Sequence, residues 1–502
     1  MKKMMKKLAS IVLAIVTVLA MSIVTWAEGT TYSITINNSA EGHTYEAYQI
    51  FTGNLSGTTL SNIVWGSGVS EAGQTALGDA TAKAETLKTE ADAKAFAKEV
   101  APYLTTAAGS ASTVTGGKYV ISGLAAGYYL VKDQDGSLTG DHDSYTEYII
   151  KVVENTTADP KSDVPVVQKK VKDINDSTDN ALTNWQDSAD YDIGDSVPFQ
   201  LKATLADNVS SYTTYKVVFH DTQSKGLTYK NDAKVYIDGT ETNGFTVTAT
   251  VNADGTTTLT VSCDDVKALG ARNSSVITVE YTATLNENAV LGSAGNPNEV
   301  YLGYSNNPNK SETGNNETGN TPKDVVIVFT YKTVISKVTK NPDYDPEVEG
   351  SKEYIPLTGA EFTLEKYNKE TDEWKLITAV KNNEGTTFTF TGLDDGNYRL
   401  TETTTPAGYN SIDPIEFTVT AEHEVLSDNP ALTSLSGNAT TGKLTFTPNT
   451  IEGSLSADVV NMSGSTLPET GGIGTTIFYV IGSILVLGAA ILLITKKRMN
   501  AR

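Results

Sequence analysis

Cysteine is almost absent from this sequence, since its 502 residues include only Cys263. One cysteine excludes an intrachain disulfide, so the covalent bridges that commonly stabilise secreted domains are missing. Asp264 and Asp265 follow directly. Two carboxylates disfavour the thiolate that a catalytic cysteine requires. We therefore interpret Cys263 as a structural residue at the end of a strand.

Histidine is also scarce, and the spacing of the four histidines suggests neither a zinc site nor a catalytic triad; they are His43, His142, His220 and His423. The stretch "DQDGSLTGDHD" (Asp133 to Asp143) looks like a calcium loop. Its glycine is misplaced for an EF-hand and the closing glutamate is missing, so a solvated turn is the better interpretation. The sequence predicts no metal and no cofactor.

Positive charge is in short supply, with 38 basic against 60 acidic residues and a net charge of −22. The first 27 and last 32 residues contain eight of the basic residues and no acidic residue, so the part between them carries about −30. This charge argues against nucleic acid and anionic membranes as partners. It suits a soluble extracellular rod.

Long apolar runs are confined to the two ends. Four lysines, an apolar stretch and Thr25-Trp26-Ala27 come in the order of a secretory signal peptide, which predicts a signal over residues 1–27 with cleavage after Ala27. The alternative is an uncleaved membrane helix, for which the run is short. Near the other end, Ile473 to Thr495 is uncharged and long enough to cross a bilayer of about 30 Å. Basic residues 496–498 follow it, which keeps that side in the cytoplasm and the bulk of the chain outside.

Between the ends, short runs of alternating polar and apolar residues recur, separated by Asp-Gly turns, as in "KVYIDGTETNGFTVTATVNADGTTTLTVS". This pattern predicts an all-β chain of tandem sandwiches of immunoglobulin-like size. Residues 70–104 are rich in Ala, Lys and Glu, which predicts an insertion of one or two helices. We divide the chain into domains at 28–160, 163–331 and 332–464. The second contains a polar loop, Asn306 to Lys323.

The stretch "LPETG" (Leu467, Pro468, Glu469, Thr470, Gly471), followed by the apolar run and the basic tail, resembles the cell-wall sorting signal of Gram-positive surface proteins. The resemblance covers 467–502. It implies that a sortase cleaves between Thr470 and Gly471 and transfers the Thr470 carbonyl to an amine. The apolar run then anchors the chain in the membrane only transiently, and peptidoglycan becomes a partner.

The third domain contains "YRLTETTTPAGY" and "PLTGAEFTL". Both resemble signatures of the collagen-adhesin B-type (CnaB) domain, with Thr405 where alanine is usual. In that family a buried lysine attacks an asparagine beside an acid, and an isopeptide bond forms with loss of ammonia. The resemblance implies Lys337 as nucleophile, Asn461 as electrophile and Glu402 as the acid. Lys337 shares a strand face with Thr333, Ile335 and Thr339 by alternation; Lys340 and Lys332 are the alternative nucleophiles.

The second domain contains "DVPVVQKKVKD", "FHDTQSKGLTY" and "NPNEVYLGYSNNP". These resemble the central domain of backbone pilins, which implies a second cross-link between Lys169 and Asn298 with Asp221 as the acid. Val167, Lys169 and Val171 share a face, which favours Lys169 over Lys170. Burial supports such chemistry in both domains, because it favours the neutral amine and the protonated acid.

The first domain resembles pilin amino-terminal domains at "GHTYEAYQIFTGN". "GLAAGYYLVKDQ" resembles a degenerate CnaB box, with Lys132-Asp133 in place of Thr-Glu, so we predict no cross-link there. Pilins of this kind accept the sortase-bound threonine on a lysine in a WxxxVxVYPK motif. Only Pro160-Lys161 matches that motif here, so Lys161 is the predicted pilin lysine; Lys170 and Lys172 are alternatives.

Taken together, the chain resembles the major, backbone subunit of a sortase-assembled pilus. The resemblance implies a structural protein that is not an enzyme, with other copies of itself, pilus and housekeeping sortases, peptidoglycan and minor pilins as partners. It implies secretion to the cell surface and wall anchoring. The alternative is a monomeric wall-anchored adhesin that binds a host or matrix ligand.

Overall fold

The computed structural model describes residues 30–138, 143–160, 163–178, 181–312, 314, 316–464 and 473–499. Strands dominate it, and they form three pairs of sheets that follow one another along the chain. We call these pairs the first sandwich (32–158), the second sandwich (166–329) and the third sandwich (331–460). The all-β fold with a helical insertion, predicted from the sequence, is confirmed.

The first sandwich pairs a sheet of order β5-β1-β8 with a sheet of order β3-β2-β6-β7, and β4 adds to β2. The larger sheet is buried on both faces: Tyr45 and Ala47 pack towards the smaller sheet, and Ile50 and Phe51 pack under the helices. The strands are β1 (Tyr32–Asn37), β2 (Tyr45–Ser56), β3 (Thr59–Trp65), β4 (Gly109–Ala111), β5 (Lys118–Leu124), β6 (Gly127–Asp133), β7 (Glu147–Val152) and β8 (Thr156–Ala158).

The helical insertion is broken into more pieces than the one or two helices predicted. They are α1 (Glu71–Leu77), α2 (Ala80–Thr86) and α3 (Glu90–Val100), followed by a 3-10 turn at Ala101–Tyr103. The breaks lie at strong capping residues. Gly78 ends α1 with φ of 83° and Asp79 caps α2, while Thr89 forms a capping box with Asp92 at the start of α3.

The second sandwich pairs a sheet of order β10-β21-β19-β12-β17-β16 with a sheet of order β15-β14-β18-β11-β9; β20 adds to β19 and β13 to β18. Short 3-10 turns lie at Val209–Ser211, Gly292–Ala294 and Pro308–Lys310. The strands are β9 (Val166–Val171), β10 (Ser188–Asp190), β11 (Ser196–Thr204), β12 (Val217–Gln223), β13 (Leu227–Tyr229), β14 (Lys234–Ile237), β15 (Thr240–Thr242), β16 (Thr246–Val251), β17 (Thr257–Cys263), β18 (Val276–Leu285), β19 (Asn296–Ser305), β20 (Thr318–Asn320) and β21 (Asp324–Phe329).

Strict alternation builds the core of the second sandwich. Along β18 every second side chain is buried, from Ile277 to Leu285, and the residues between them are partly exposed. The predicted Asp-Gly turn forms between β14 and β15, with positive φ at Asp238 (48°) and Gly239 (80°). Cys263 ends β17 and is buried, and burial raises the pKa of its thiol. These features bring alternate side chains of both sheets into one core.

The third sandwich pairs a sheet of order β26-β27-β22-β32-β31, with β23 on β22, with a sheet of order β25-β24-β28-β29-β30. Its first long strand, β22, lies parallel to its last, β32. The strands are β22 (Tyr331–Lys340), β23 (Tyr354–Pro356), β24 (Glu361–Asn368), β25 (Glu373–Ile377), β26 (Val380–Lys381), β27 (Thr387–Leu393), β28 (Gly396–Thr404), β29 (Ile415–His423), β30 (Leu432–Ala439), β31 (Thr447–Asn449) and β32 (Ser454–Val460).

The second and third sandwiches meet closely, because only Thr330 separates β21 from β22. At this junction Gly292 and Gly453 touch backbone to backbone. A Cβ on Gly292 would lie 2.3 Å from the nitrogen of Gly453, and a Cβ on Gly453 would lie 2.4 Å from the nitrogen of Gly292. Both glycines have positive φ. Any side chain at either position would push the two sandwiches apart.

The chain's apolar carboxyl-terminal run forms a helix, α4 (Ile473–Met499). Within it, Tyr479–Lys497 has a mean hydropathy of 2.1 and is long enough to cross a membrane. The large apolar side chains of this stretch are exposed rather than packed on the sandwiches, Leu485 by 67% and Leu492 by 71%. Such exposure is unfavourable in water and suits lipid.

Candidate functional site

In the third sandwich, the strand order brings the predicted lysine and asparagine to the same place. Lys337 lies on β22, and its register partner on the parallel strand β32 is Val459. Asn461 follows β32 directly, and its backbone nitrogen donates a hydrogen bond of 3.0 Å to the carbonyl of Val338. Glu402 lies on β28 in the facing sheet. Three segments that are distant in sequence therefore converge in one core.

The three side chains form a closed hydrogen-bonded triangle, in which Lys337, Glu402 and Asn461 are all shielded from solvent. The Nζ atom of Lys337 lies 2.9 Å from Oε1 of Glu402 and contacts Oδ1 of Asn461. The Nδ2 atom of Asn461 donates to Oε1 and Oε2 of Glu402, at 2.9 and 3.1 Å. Phe362 covers the amine with its ring centroid 5.4 Å away. The amine thus touches the amide that it would attack.

Two opposing effects act on the pKa of Lys337. Burial lowers this pKa, whereas the hydrogen bond and the charge of Glu402 raise it. The desolvation effect is the larger, so the pKa lies below its ordinary value. This shift favours the neutral amine, which is the nucleophilic form.

Thr405 stands where the related boxes have alanine, and its hydroxyl donates a hydrogen bond of 3.2 Å to Oε2 of Glu402. The departure from the usual box therefore adds a contact to the acid without displacing it.

The alternative nucleophiles lie elsewhere. Lys332 is 3.6 Å from Glu452 in a partly exposed ion pair, and Lys340 is exposed at the end of β22.

The second sandwich gathers its predicted residues differently. Asp221 on β12 and Asn298 on β19 lie on neighbouring strands, with Gln223 opposite Asn298 in the register. Lys169 reaches them from β9 in the facing sheet. Lys169, Asp221 and Asn298 are each 0% exposed. The Nζ atom of Lys169 contacts Oδ2 of Asp221.

Tyr281, which the sequence analysis missed, completes this site. Its hydroxyl lies 3.1 Å from Nζ of Lys169, 2.9 Å from Oδ1 of Asp221 and 2.8 Å from Nδ2 of Asn298. The alternation along β18 points Tyr281 inwards. That pattern marks it as a core residue, but a core tyrosine is common and nothing local identifies its partners.

Burial shifts both ionisable partners of the second site towards their neutral forms. It lowers the pKa of Lys169 and raises the pKa of Asp221, and in each case the charge of the other residue opposes the effect without cancelling it. Burial also raises the pKa of Tyr281 well above its ordinary value, and the charge of Asp221 adds to this. The site therefore favours an uncharged amine, a protonated acid and an intact phenol.

The first sandwich has a different arrangement around its degenerate box. Asp133 is buried and bonds Nδ1 of His43 at 2.7 Å, while Asp143 bonds Nε2 of the same ring at 2.7 Å. Burial lowers the pKa of His43, but the two carboxylates raise it by more than burial lowers it. The resulting pKa is about 9. Lys132 points away to Asp135 at 2.9 Å. The acid of this box thus faces a histidine rather than a lysine and an asparagine.

The boundary between the second and third sandwiches holds a cluster of buried charges. Lys366 lies 2.8 Å from Asp176, 2.9 Å from Asp192 and 3.2 Å from Asp394. No motif in the sequence marks this lysine as part of a site. Carboxylate oxygens of Asp190, Asp394 and Asp395 lie within 4.8 Å of one another, close enough to hold a cation.

His423 sits in the same boundary and connects the two sandwiches. Its Nε2 lies 3.4 Å from Asp190 and 3.5 Å from Asp173, and its Nδ1 is 2.8 Å from the hydroxyl of Ser188. A second group of possible cation ligands consists of Asp173, Asp190 and His423. Because a protonated His423 supplies positive charge there, these carboxylates do not need a metal to be held together.

Several predicted sites lie outside the described residues: the signal peptide at 1–27, the pilin lysine Lys161 and the sortase stretch Leu467 to Gly471. The alternative pilin lysines are described and are both engaged. Lys170 forms an ion pair with Asp187, and Nζ of Lys172 lies 4.8 Å from the ring centroid of Trp185.

Three family descriptions match this chain. "Gram-positive pilin backbone subunit 2, Cna-B-like domain" matches residues 193–308, within the second sandwich. "Prealbumin-like fold domain" matches 349–430, within the third sandwich. "LPXTG cell wall anchor motif" matches 460–500. The three matches fall on the second sandwich, the third sandwich and the carboxyl end, where the sequence resembles a pilin central domain, a CnaB domain and a sorting signal.

Comparison with individual proteins gives the same result. The chain is 26% identical over 446 residues to the trypsin-resistant surface T6 protein of Streptococcus pyogenes serotype M6, covering 75% of each chain. The solved structure of the T6 backbone pilin of that serotype has the same fold, with a TM-score of 0.55 and 20% identity. The similarity covers 88% of this chain and 100% of that one.

Proposed function

We propose that this chain, whose family matches and relatives are backbone pilins of Gram-positive bacteria, is locked in each subunit by two internal Lys–Asn isopeptide bonds and joined covalently to the next subunit by a sortase. It is a structural subunit of a pilus on the cell surface, anchored through an LPXTG motif. The proposal divides the mature chain into domains at 28–160, 163–331 and 332–464, and the three pairs of sheets support that division.

The observation that carries the proposal is the burial of a complete reactive set in the second and in the third sandwich. In the third sandwich the lysine amine touches both the carboxamide and the carboxyl group, and in the second the amine touches the carboxyl group and reaches the carboxamide through the hydroxyl of Tyr281. All three side chains of each set are shielded from water. Buried lysines are rare because a desolvated ammonium is costly. The burial of both Lys169 and Lys337 near asparagines is explained if each amine reacts to form a covalent bond and so loses its charge.

The chemistry needs no cofactor. The neutral amine of Lys337 attacks Cγ of Asn461, a new C–N bond forms, and the original carboxamide nitrogen leaves as ammonia. Glu402 touches both nitrogens, so it can accept a proton from the attacking amine and return one to the leaving group. Contact between the groups makes the reaction effectively unimolecular. Lys169, Asp221 and Asn298 form the corresponding bond in the second sandwich.

These bonds take the place of the missing disulfides. Lys337 and Asn461 are 124 residues apart, and closing a loop of that length stabilises the folded state by about 5 kcal/mol in the chain-entropy model. The bond also connects the first and last long strands of the sandwich, β22 and β32. Tension along the pilus then passes through covalent bonds between these strands, so the sheets need not unzip.

For polymerisation, the sortase cleaves between Thr470 and Gly471 and joins the Thr470 carbonyl to Lys161 of the next subunit. The apolar helix α4 holds the unprocessed chain at the membrane, where pilus and housekeeping sortases act, and the last transfer joins the polymer to peptidoglycan. Minor pilins are further partners. The engagement of Lys170 and Lys172 with Asp187 and Trp185 supports Lys161 as the acceptor.

The test is an immunoblot of wall extracts boiled in SDS. The parent strain should give a ladder of high-mass species, and Lys161→Ala should collapse it to monomer. Lys118→Ala is the matched control, since Lys118 is an exposed lysine of the first sandwich and its loss should leave the ladder intact. A single discrete band in the parent strain would support a monomeric adhesin and contradict polymerisation.

A further inference from the structure

The two buried sites differ in how the acid reaches the carboxamide. In the third sandwich, both oxygens of Glu402 accept hydrogen bonds from Nδ2 of Asn461. In the second sandwich, Oδ2 of Asp221 contacts Nζ of Lys169, and the carboxamide nitrogen of Asn298 donates instead to the hydroxyl of Tyr281. Aspartate is one methylene shorter than glutamate, and the phenol spans the distance that the shorter acid leaves.

The hydroxyl of Tyr281 has the connectivity of a proton relay. It donates its single hydrogen to Oδ1 of Asp221 at 2.9 Å and accepts from Nζ of Lys169 at 3.1 Å and from Nδ2 of Asn298 at 2.8 Å. Gln223 also donates to Oδ1 of Asp221, at 3.4 Å. All the groups of the reaction are thus joined through one oxygen atom.

The surroundings hold this phenol rigidly. Its ring stacks on Phe199, with centroids 5.4 Å apart, and meets Tyr229 edge-on at 5.6 Å. Tyr281 is 3% exposed, and its hydroxyl is in the dry interior between the two sheets. A buried tyrosine usually needs one partner for its hydroxyl, whereas this one contacts three residues that react or transfer protons.

We propose that Tyr281 is a catalytic residue of the second sandwich, which passes a proton from Asp221 to the departing nitrogen of Asn298. This inference rests on the proposed function, namely that Lys169 and Asn298 form a cross-link. It also separates the two sandwiches mechanistically: the acid of the third acts directly, and the acid of the second acts through a phenol.

The proton balance closes without any outside reactant. Lys169 first gives one proton to Asp221, which leaves a neutral amine and a neutral acid. The amine attacks Cγ of Asn298. The hydroxyl of Tyr281 turns to give its hydrogen to the carboxamide nitrogen and takes one back from Asp221, and Asp221 takes one proton from the attacking nitrogen through Oδ2. The old C–N bond breaks, ammonia leaves, and the site ends with one amide and one protonated carboxyl group.

The experiment compares Tyr281→Phe with the parent ectodomain after a pulse of cell-free synthesis, so that both start without cross-links. Mass spectrometry follows the loss of one ammonia per bond, and peptide mapping assigns each loss to Lys169–Asn298 or Lys337–Asn461. We expect the second-sandwich bond of the variant to form about 10²-fold more slowly, as for loss of a general acid–base. The third-sandwich bond should form at the parental rate in the same molecules.

Tyr229→Phe is the matched control, because Tyr229 packs on the ring of Tyr281. Among the residues that the structure describes, the hydroxyl of Tyr229 accepts a hydrogen bond only from the backbone nitrogen of Ala233. It should form both bonds at the parental rate. Formation of the second bond at the parental rate in Tyr281→Phe would overturn the inference. If the parent itself loses no ammonia from the second sandwich, the proposed function fails instead.

A second variant covers the case in which Tyr281→Phe does not fold. Fluorotyrosine at position 281 keeps the ring and the hydroxyl but makes the phenol more acidic. A proton relay predicts that the rate of the second bond and its pH profile both change. A rate and pH profile identical to the parent would also overturn the inference, because a merely structural tyrosine is insensitive to phenol acidity.

Discussion

Asn461 presents its carboxamide nitrogen to both carboxylate oxygens of Glu402, at 2.9 and 3.1 Å, in a pocket that excludes water. In the proposed reaction, this contact aligns the amide for attack and places the acid beside the nitrogen that leaves. Oε1 of Glu402 also lies 2.9 Å from Nζ of Lys337, so one acid can serve both nitrogens in the proposed reaction.

We expect Glu402→Gln to leave the third sandwich without its cross-link. The substituted amide keeps the shape of the site but cannot exchange a proton with Lys337 or Asn461. The intact mass of the ectodomain should exceed that of the parent by close to one ammonia, and the second-sandwich bond should still form. Thermal unfolding should show the third sandwich weakened, by up to about 5 kcal/mol from lost loop closure. Complete ammonia loss from both sandwiches would contradict the assigned role of Glu402.

Lys366→Met should strongly destabilise the boundary between the second and third sandwiches. The ammonium of Lys366 lies against the carboxylates of Asp176 and Asp192, and its removal leaves the buried Asp192 uncompensated. Burial raises the pKa of the third partner, Asp394, well above its ordinary value. Breaking a buried ion pair in this way costs about 3–5 kcal/mol. Urea unfolding monitored by hydrogen exchange at the boundary measures the change.

The control for that variant is Lys381→Met. Lys381 pairs with Glu361, and both side chains are more than 40% exposed, at 43% and 45%. Exposed pairs contribute about 0–1 kcal/mol, so this variant should unfold almost like the parent. Equal effects of Lys366→Met and Lys381→Met would show that the buried cluster has no special role.

The contribution of His423 to stability should depend on pH. Burial lowers the pKa of His423, but the hydrogen bonds and charges of Asp173 and Asp190 together raise it by more. The resulting pKa is about 10, compared with the ordinary value of 6.5. A raised histidine pKa stabilises the folded state fully below pH 6.5, and this stabilisation is lost as the pH rises through about 10. Neighbouring carboxyls also titrate, since burial and then Asp190 raise the pKa of Asp395 to about 7.

A comparison of the parent with His423→Gln isolates the histidine from these neighbours. The difference in unfolding temperature between the two proteins should be large at pH 6 and should shrink steadily towards pH 10. A difference that stays constant over this range would mean that His423 acts through packing alone.

The sequence by itself was enough to predict an all-β chain, because alternation with a period of two is a local property of each strand. It also sufficed for the carboxyl end, since the LPETG stretch and the apolar run are contiguous and the anchor motif matches there. The signal peptide over residues 1–27 stays a prediction. The box around Glu402 and the inward face of Lys337 are equally local. The number of helices in 70–104 was predicted wrongly, because the capping residues Asp79 and Thr89 override the uniform composition of that segment.

Only the tertiary structure decided which side chains meet across the sheets. Tyr281 lies between Lys169 and Asn298 because β18 lies in the same sheet as β9 and faces the sheet that contains β19, and strand alternation says nothing about which sheet faces which. Lys366 and His423 were likewise invisible as a cluster, since their acidic partners Asp192 and Asp190 are more than 170 residues away and lie in another sandwich. Periodicity determines which face of a strand is buried, whereas the chemistry of the buried site depends on pairings between strands that only the folded chain makes.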